Sequence, residues 1–246
     1  MNNAKAIFIK QLTGLIKVPS LIIQGILFLA IAAVFVFLAT EDSECYTDSC
    51  VPAYICEICE EDRFELPLPS GVALFAVIFI GLALVGSASG QVYEDKTTNN
   101  LRFMAMADVK PFQYLLGTAA AMIIVVTVML TFYAALGGYI VNNMLWFMTI
   151  GVSGGIVSIL LGIVIGLSKM PILATPLSLI LGLGPTIGSV NETIARALRF
   201  TFIQQVNIAM ADLNEDLTSN FLIIGANGAV VLLLFIWMHR KNRFNL

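Results

Sequence analysis

The sequence predicts an all-α integral membrane protein with six transmembrane helices. Three observations lead there. Of 246 residues, 59% are hydrophobic and only 12% are charged, with a mean hydropathy of +0.91, whereas soluble domains run about 45–50% apolar and about 25% charged. That balance excludes a water-soluble globule, a disordered tail and a nucleic-acid binder. Six windows are apolar enough to cross a hydrocarbon core: Leu21–Ala39, Gly71–Gly90, Tyr114–Val141, Met144–Leu167, Ile172–Val190 and Phe221–Met238. Each approaches the roughly 20 helical residues that a crossing takes. None shows the apolar–polar alternation over about ten residues that marks an outer-membrane barrel strand. Residues 1–246 therefore read as one transmembrane domain.

Residues 1–19 read as an interfacial helix. Phe8, Ile9, Leu12, Leu15 and Ile16 share one side at the helical period, with Lys10 and Lys17 opposite. This is the pattern of a helix lying on a membrane surface with its cations near lipid phosphates. Pro19 ends it and turns the chain into the first span. No small-residue cleavage site follows that span, so a secretory signal is not expected.

The loop 40–69 holds all four cysteines, Cys45, Cys50, Cys56 and Cys59. On an oxidising outer side, disulfides stapling a loop too short for its own core are the favoured reading, and the connectivity stays open. A tetrathiolate zinc site is the alternative, because Cys56 and Cys59 have ligand-like spacing. The favoured reading leaves the chain without a metal.

After the second span, residues 91–113 mix both charge signs and carry Leu101, Phe103, Met104 and Met106. Apolar residues on such a connection suggest a partner surface. Asp108 followed by Pro111 marks the start of the helix that becomes the third span. Within the spans, Gly86-x3-Gly90, Gly151-x3-Gly155 and Gly162-x3-Gly166 set small residues one turn apart, which allows helices to approach closely. Gln24 and Asn227 are read as hydrogen-bonding neighbouring helices.

The fifth window is the weakest, since Pro171, Pro176 and Pro185 fall in or beside it. Gly184-Pro185-Thr186-Ile187-Gly188 is expected to break it, and Ile194, Leu198, Phe202 and Val206 then recur at helical spacing. Residues 184–216 accordingly read as an outer re-entrant or amphipathic element. Non-helical backbone at membrane depth survives only where protein or water satisfies it. A plain kink followed by a surface helix is the alternative.

Charge gives the orientation. With both termini on one side, ten Lys and Arg lie on that side and only Arg63, Arg196 and Arg199 on the other, as the positive-inside bias requires of a cell-membrane protein with cytoplasmic N- and C-termini. Nine of sixteen acids fall between Glu41 and Glu65, on the outer side. No Asp, Glu, Lys, Arg or His lies in the middle of a window, which argues against proton relays and many ion-coupled carriers. There is no G-x4-G-K-[ST] phosphate loop, and the lone His239 beside Arg240 and Lys241 reads as an interfacial anchor rather than a catalyst. The chain is not expected to be an enzyme.

The stretch Val92–Gly117 resembles the permease subunits of ABC transporters of the type-2 exporter class. The resemblance rests on the cluster Glu94-Asp95-Lys96, the turn Thr97-Thr98-Asn99-Asn100, the apolar helix Leu101–Ala107, Pro111, and Tyr114-Leu115-Leu116-Gly117. The family often has Gly-Thr-Leu after the charged cluster, where this chain has Thr-Asn-Asn-Leu-Arg. The resemblance implies that 91–113 is a cytoplasmic coupling segment. Glu94, Asp95, Lys96, Thr97, Leu101, Arg102, Phe103 and Met104 would then meet a separate ATP-binding subunit, which carries the ATP and magnesium; no cofactor is expected on this chain. It implies a second permease subunit, identical or paralogous, contact with membrane lipid, and an outer gate near Gly184, Pro185, Gly188 and Phe202. The cargo would be a lipophilic or amphipathic molecule such as an antimicrobial peptide or drug. A non-transporting receptor or immunity protein using the cysteine loop is the alternative. A secondary carrier or channel is disfavoured, because no internal repeat is evident.

Overall fold

The computed structural model describes residues 2–17, 20–41, 68–106, 109–139, 141–168, 171–190, 192–213 and 217–242. The described residues are helical apart from short connections. The helices are α1 (Asn2–Lys17), α2 (Ser20–Glu41), α3 (Leu68–Ile78), α4 (Val85–Thr97), α5 (Asn100–Met106), α6 (Pro111–Leu136), α7 (Val141–Leu167), α8 (Ala174–Val190), α9 (Glu192–Leu198), α10 (Phe202–Ala211) and α11 (Leu217–Asn242). A π-helical segment, Phe79–Leu84, joins α3 to α4 without a break, and a 3-10 turn, Pro171–Leu173, precedes α8.

Five helices are long and apolar enough to cross a membrane: Ser20–Leu38, Gly71–Thr97, Phe112–Leu136, Asn143–Leu167 and Leu217–Met238. The chain is thus a multi-span α-helical membrane protein. The window expected at 172–190 forms a shorter apolar helix, Ala174–Ile187 within α8, because the proline-rich start is taken up by the 3-10 turn.

The second and fourth of these spans form the middle of the bundle, and the first and last are its least buried members. Helices α4 and α7 share the most extensive contact among the described elements, and glycine is the reason. A Cβ at Gly162 would lie 2.6 Å from Ala88 Cβ and 2.7 Å from the Val85 carbonyl oxygen; one at Gly166 would lie 2.7 Å from the Ser89 carbonyl oxygen. Gly151 and Gly154 make room for the side chains of Met210 and Val206 of α10. Gly162-x3-Gly166 thus works as expected, by letting backbones approach, whereas Gly151-x3-Gly155 makes room for side chains. Gly86 and Gly90 do neither: a Cβ at either would meet nothing within 4 Å.

Helix α8 runs antiparallel to α4, with Leu181 and Gly182 against Gly81 and Leu82 of the π segment. The expected break at Gly184–Gly188 is not seen. The helix runs through Pro185 to Val190. Proline has no N–H to give the carbonyl four residues back, which is that of Leu181. Gly81 packs on that carbonyl, so close that a Cβ there would be 2.8 Å from its carbon and oxygen.

At the far end, α9 folds back on α8, and α10 is seated among α3, α7, α8 and α11. The single amphipathic helix expected through Ile194, Leu198, Phe202 and Val206 is two helices, split at 199–201. Asn227 Nδ2 donates to the Phe200 carbonyl at 3.0 Å, Thr201 Oγ1 to the Leu198 carbonyl at 2.7 Å, and Gln205 Nε2 to the Arg199 carbonyl. Asn227 therefore bonds across to a neighbouring element, as expected.

The disulfide expectation is corrected. No disulfide joins any of the described residues, and Cys45, Cys50, Cys56 and Cys59 lie outside them, within 42–67.

Gly81→Ala and Gly162→Ala are each expected to cost about 1–3 kcal/mol through overpacking against backbone. Gly225→Ala, where a Cβ meets nothing within 4 Å, should cost nothing. Thermal unfolding of the three variants in nanodiscs checks this.

Candidate functional site

Three features share the end of the bundle where α4 finishes and α6 and α8 begin. The first is a buried carboxylate. Helix α4 outlasts the apolar window by seven residues, from Gly90 to Thr97, so Glu94, Asp95 and Lys96 occupy its last turns rather than a loop. Asp95 points inward and is only 6% exposed. Its Oδ1 accepts from Lys10 Nζ at 2.7 Å and Asn100 Nδ2 at 3.2 Å; its Oδ2 accepts from Gln11 Nε2 at 2.8 Å and the Tyr114 hydroxyl at 3.0 Å. A buried carboxylate persists only when paired and hydrogen-bonded, and here the donors come from α1, α5 and α6. Ile7, Gln11 and Leu15 form the buried face of α1, while Ile9 points out. The helix is thus rotated from the arc its apolar residues suggest, bringing Gln11 onto Asp95.

Lys96 turns the other way and donates to the carbonyls of Ser168 at 3.0 Å and Leu167 at 3.4 Å. A cation there satisfies the end of α7 and complements its dipole. Two of the expected partner contacts, Asp95 and Lys96, thus serve the bundle itself.

The second feature is α5. Thr98 N–H bonds back to the Glu94 carbonyl at 2.9 Å, and Asn99 takes a left-handed φ of 58°, a conformation asparagine tolerates better than most residues. Asparagine thus does the work of a turn glycine, and α5 follows at once. Leu101 and Met104 pack against the core, whereas Glu94, Thr97, Arg102 and Met106 are exposed. The Phe103 side chain lies outside the described residues. Pro111 then opens α6, with Gln113 Oε1 accepting the Lys110 N–H at 3.1 Å, as a helix start at proline requires.

The third feature is a cavity of about 400 Å³ between α2, α4 and the start of α8, with Gln24, Gly86, Ser89, Tyr93 and Ser178 among its lining. Gln24, expected to bond a neighbouring helix, has its Oε1 buried without a partner among the described residues. At the opposite end, Phe202 is buried in α10, and Gly184 and Pro185 are buried in α8, where a Cβ at Gly184 would lie 3.0 Å from Leu198. The side-chain environment of Gly188 lies outside the described residues. Among the described residues, no group of three His, Cys, Asp or Glu could hold a metal ion.

Lys10, Gln11, Asn100 and Tyr114 were not expected to converge. The available signal was Gln11, a polar residue at the edge of the apolar face of an amphipathic helix. No protein-family model matches the chain, and no curated protein matches it. The likeness to exporter permeases rests on the stretch Val92–Gly117 and stays a resemblance.

Asp95→Ala leaves Gln11 and Tyr114 buried without their acceptor and is expected to cost about 2–4 kcal/mol and to open α1 to trypsin at Lys10. Lys10→Met removes the cation paired with Asp95 and is expected to cost about 1–2 kcal/mol, less than Asp95→Ala because the lysine side chain is 46% exposed, partly screened by solvent, and the three neutral donors remain. Equal losses in the two unfolding curves would contradict the assignment of Asp95 as the central group.

Proposed function

We propose that the chain is the membrane subunit of an ATP-driven exporter, working with a separate ATP-hydrolysing subunit and a second membrane subunit. The observation that carries this reading is the mounting of α5. It is a short helix outside the apolar spans, anchored through Asn100 to the same carboxylate that receives α1 and α6, and it leaves Glu94, Thr97, Arg102 and Met106 exposed. A helix mounted on several spans at once is suited to pass a partner's movement into the bundle. A loosely attached one would not.

In this reading α8 is the sixth crossing. It starts beside Gly90 and Tyr93 and runs antiparallel to α4. Helix α11 starts at the other end, where Phe221 lies 6.4 Å from Trp146 between ring centroids, which supports a crossing between α7 and α11. Helices α9 and α10 then cap the outer exit as a hairpin. With α2 and α11 mostly exposed and uncharged windows facing the path, the cargo is lipophilic or amphipathic. Both termini and α5 lie in the cytoplasm by the distribution of Lys and Arg.

The experiment is gentle purification from native membranes followed by mass spectrometry of the partners. A stoichiometric ATPase bearing a phosphate-binding loop is expected. Glu94→Lys with Arg102→Glu should weaken its association by about tenfold or more, as loss of a contact hot spot does, without lowering the unfolding temperature. A chain that purifies alone and ignores ATP would refute the reading.

A further inference from the structure

Two glycines face the cavity. At Gly86 and Gly90 a Cβ would meet nothing within 4 Å, and both line the space between α2, α4 and α8. Its volume of about 400 Å³ falls in the range of small-molecule sites. No lining residue is charged; Leu82, Ala174 and Leu179 are apolar, and Gln24, Ser89, Tyr93, Thr175 and Ser178 are polar. The Ser178 hydroxyl is already committed to the Thr175 carbonyl at 2.9 Å. The Gln24 Oε1 is not, being buried without a partner among the described residues. At the rim, Tyr93 is 44% exposed and Gly90 is exposed, so the cavity is open to a ligand there.

Each feature removes a class of ligand. A charged ligand would lose its hydration with no counter-charge in the lining. A purely apolar one would leave the buried Gln24 oxygen unpaired. We propose that this cavity binds a neutral single-chain amphiphile carrying an N–H or O–H donor, toward which the Gln24 side chain rotates so that Oε1, otherwise enclosed and unpaired, accepts that hydrogen while the ligand's chain lies along Leu82 and Leu179. This deepens the exporter reading by naming the class of cargo. Binding itself requires neither nucleotide nor a partner subunit, so it stands or falls separately.

The test uses the purified full chain in phosphatidylcholine nanodiscs without ATP. The probe is dodecanamide bearing a photoactivatable diazirine on its chain, and adducts are mapped by mass spectrometry. Labelling is expected at 82–93 and 174–179. Dodecanamide should compete about fivefold to tenfold better than methyl dodecanoate, which lacks a donor, at equal mole fraction in the lipid, as one hydrogen bond to a buried acceptor allows. Dodecyltrimethylammonium should compete as poorly as the ester. Gln24→Leu should abolish the preference for the amide while leaving the fold intact. Gly86→Leu, whose Cβ enters open space, should abolish labelling with the unfolding temperature retained. Labelling spread over the exposed faces of α2 and α11, equal competition by ester and amide, or labelling that survives Gly86→Leu would overturn the proposal. So would copies of the chain cross-linked through this cavity in place of labelling.

Discussion

A carboxylate buried at the end of a membrane span has to be neutralised, and much of the structure at the basic end follows from that requirement. Asp95 cannot reach water from the inward side of α4, so its two oxygens recruit donors from three other helices. That recruitment sets the rotation of α1, the entry angle of α6 and the point where α5 begins. The cost of leaving any of these donors or the acceptor unmatched is larger than that of a typical surface contact, so the four elements hold one arrangement. Lys96, one residue on, points the opposite way and closes the end of α7. Adjacent residues on one helical turn thus tie together five helices.

The middle of the bundle answers to a different constraint. Lipid tails offer no hydrophobic drive between helices, so close contact depends on small residues. The close approaches made by Gly162 and Gly166 to α4 and by Gly81 to α8 are of this kind. Pro185 adds to the last of them by freeing a carbonyl on the side that faces Gly81. The π segment at 79–84 lies at this contact, and such segments often mark functional positions in helices.

The five long spans were legible because an unbroken run of about 20 apolar residues has few other fates. Pro111 as a helix start was legible because proline fits the first turn and little else nearby. The fifth window was harder. Prolines at 171, 176 and 185 read alike in sequence, yet one starts a 3-10 turn and another lies inside an intact helix. The convergence on Asp95 was hidden by separation: Gln11 and Asp95 lie 84 residues apart, and no local period encodes such a bond. The glycine pairs show the same limit from another side. Spacing says that one helical face is small, but whether a backbone or a void lies opposite is decided by a different part of the chain. Gly162-x3-Gly166 met a helix; Gly86-x3-Gly90 met a cavity.

All five members of the carboxylate cluster lie within the first 114 residues. The chain is made from its N-terminus, and early segments fold while later ones are still being synthesised. The cluster can therefore close on the ribosome-bound half-chain, before α7 and its glycines have emerged. The second span thus has its charge neutralised while its apolar middle is still waiting for a neighbour. The order of synthesis thus allows the later helices to be added to an end whose polar contacts lie wholly in the earlier chain.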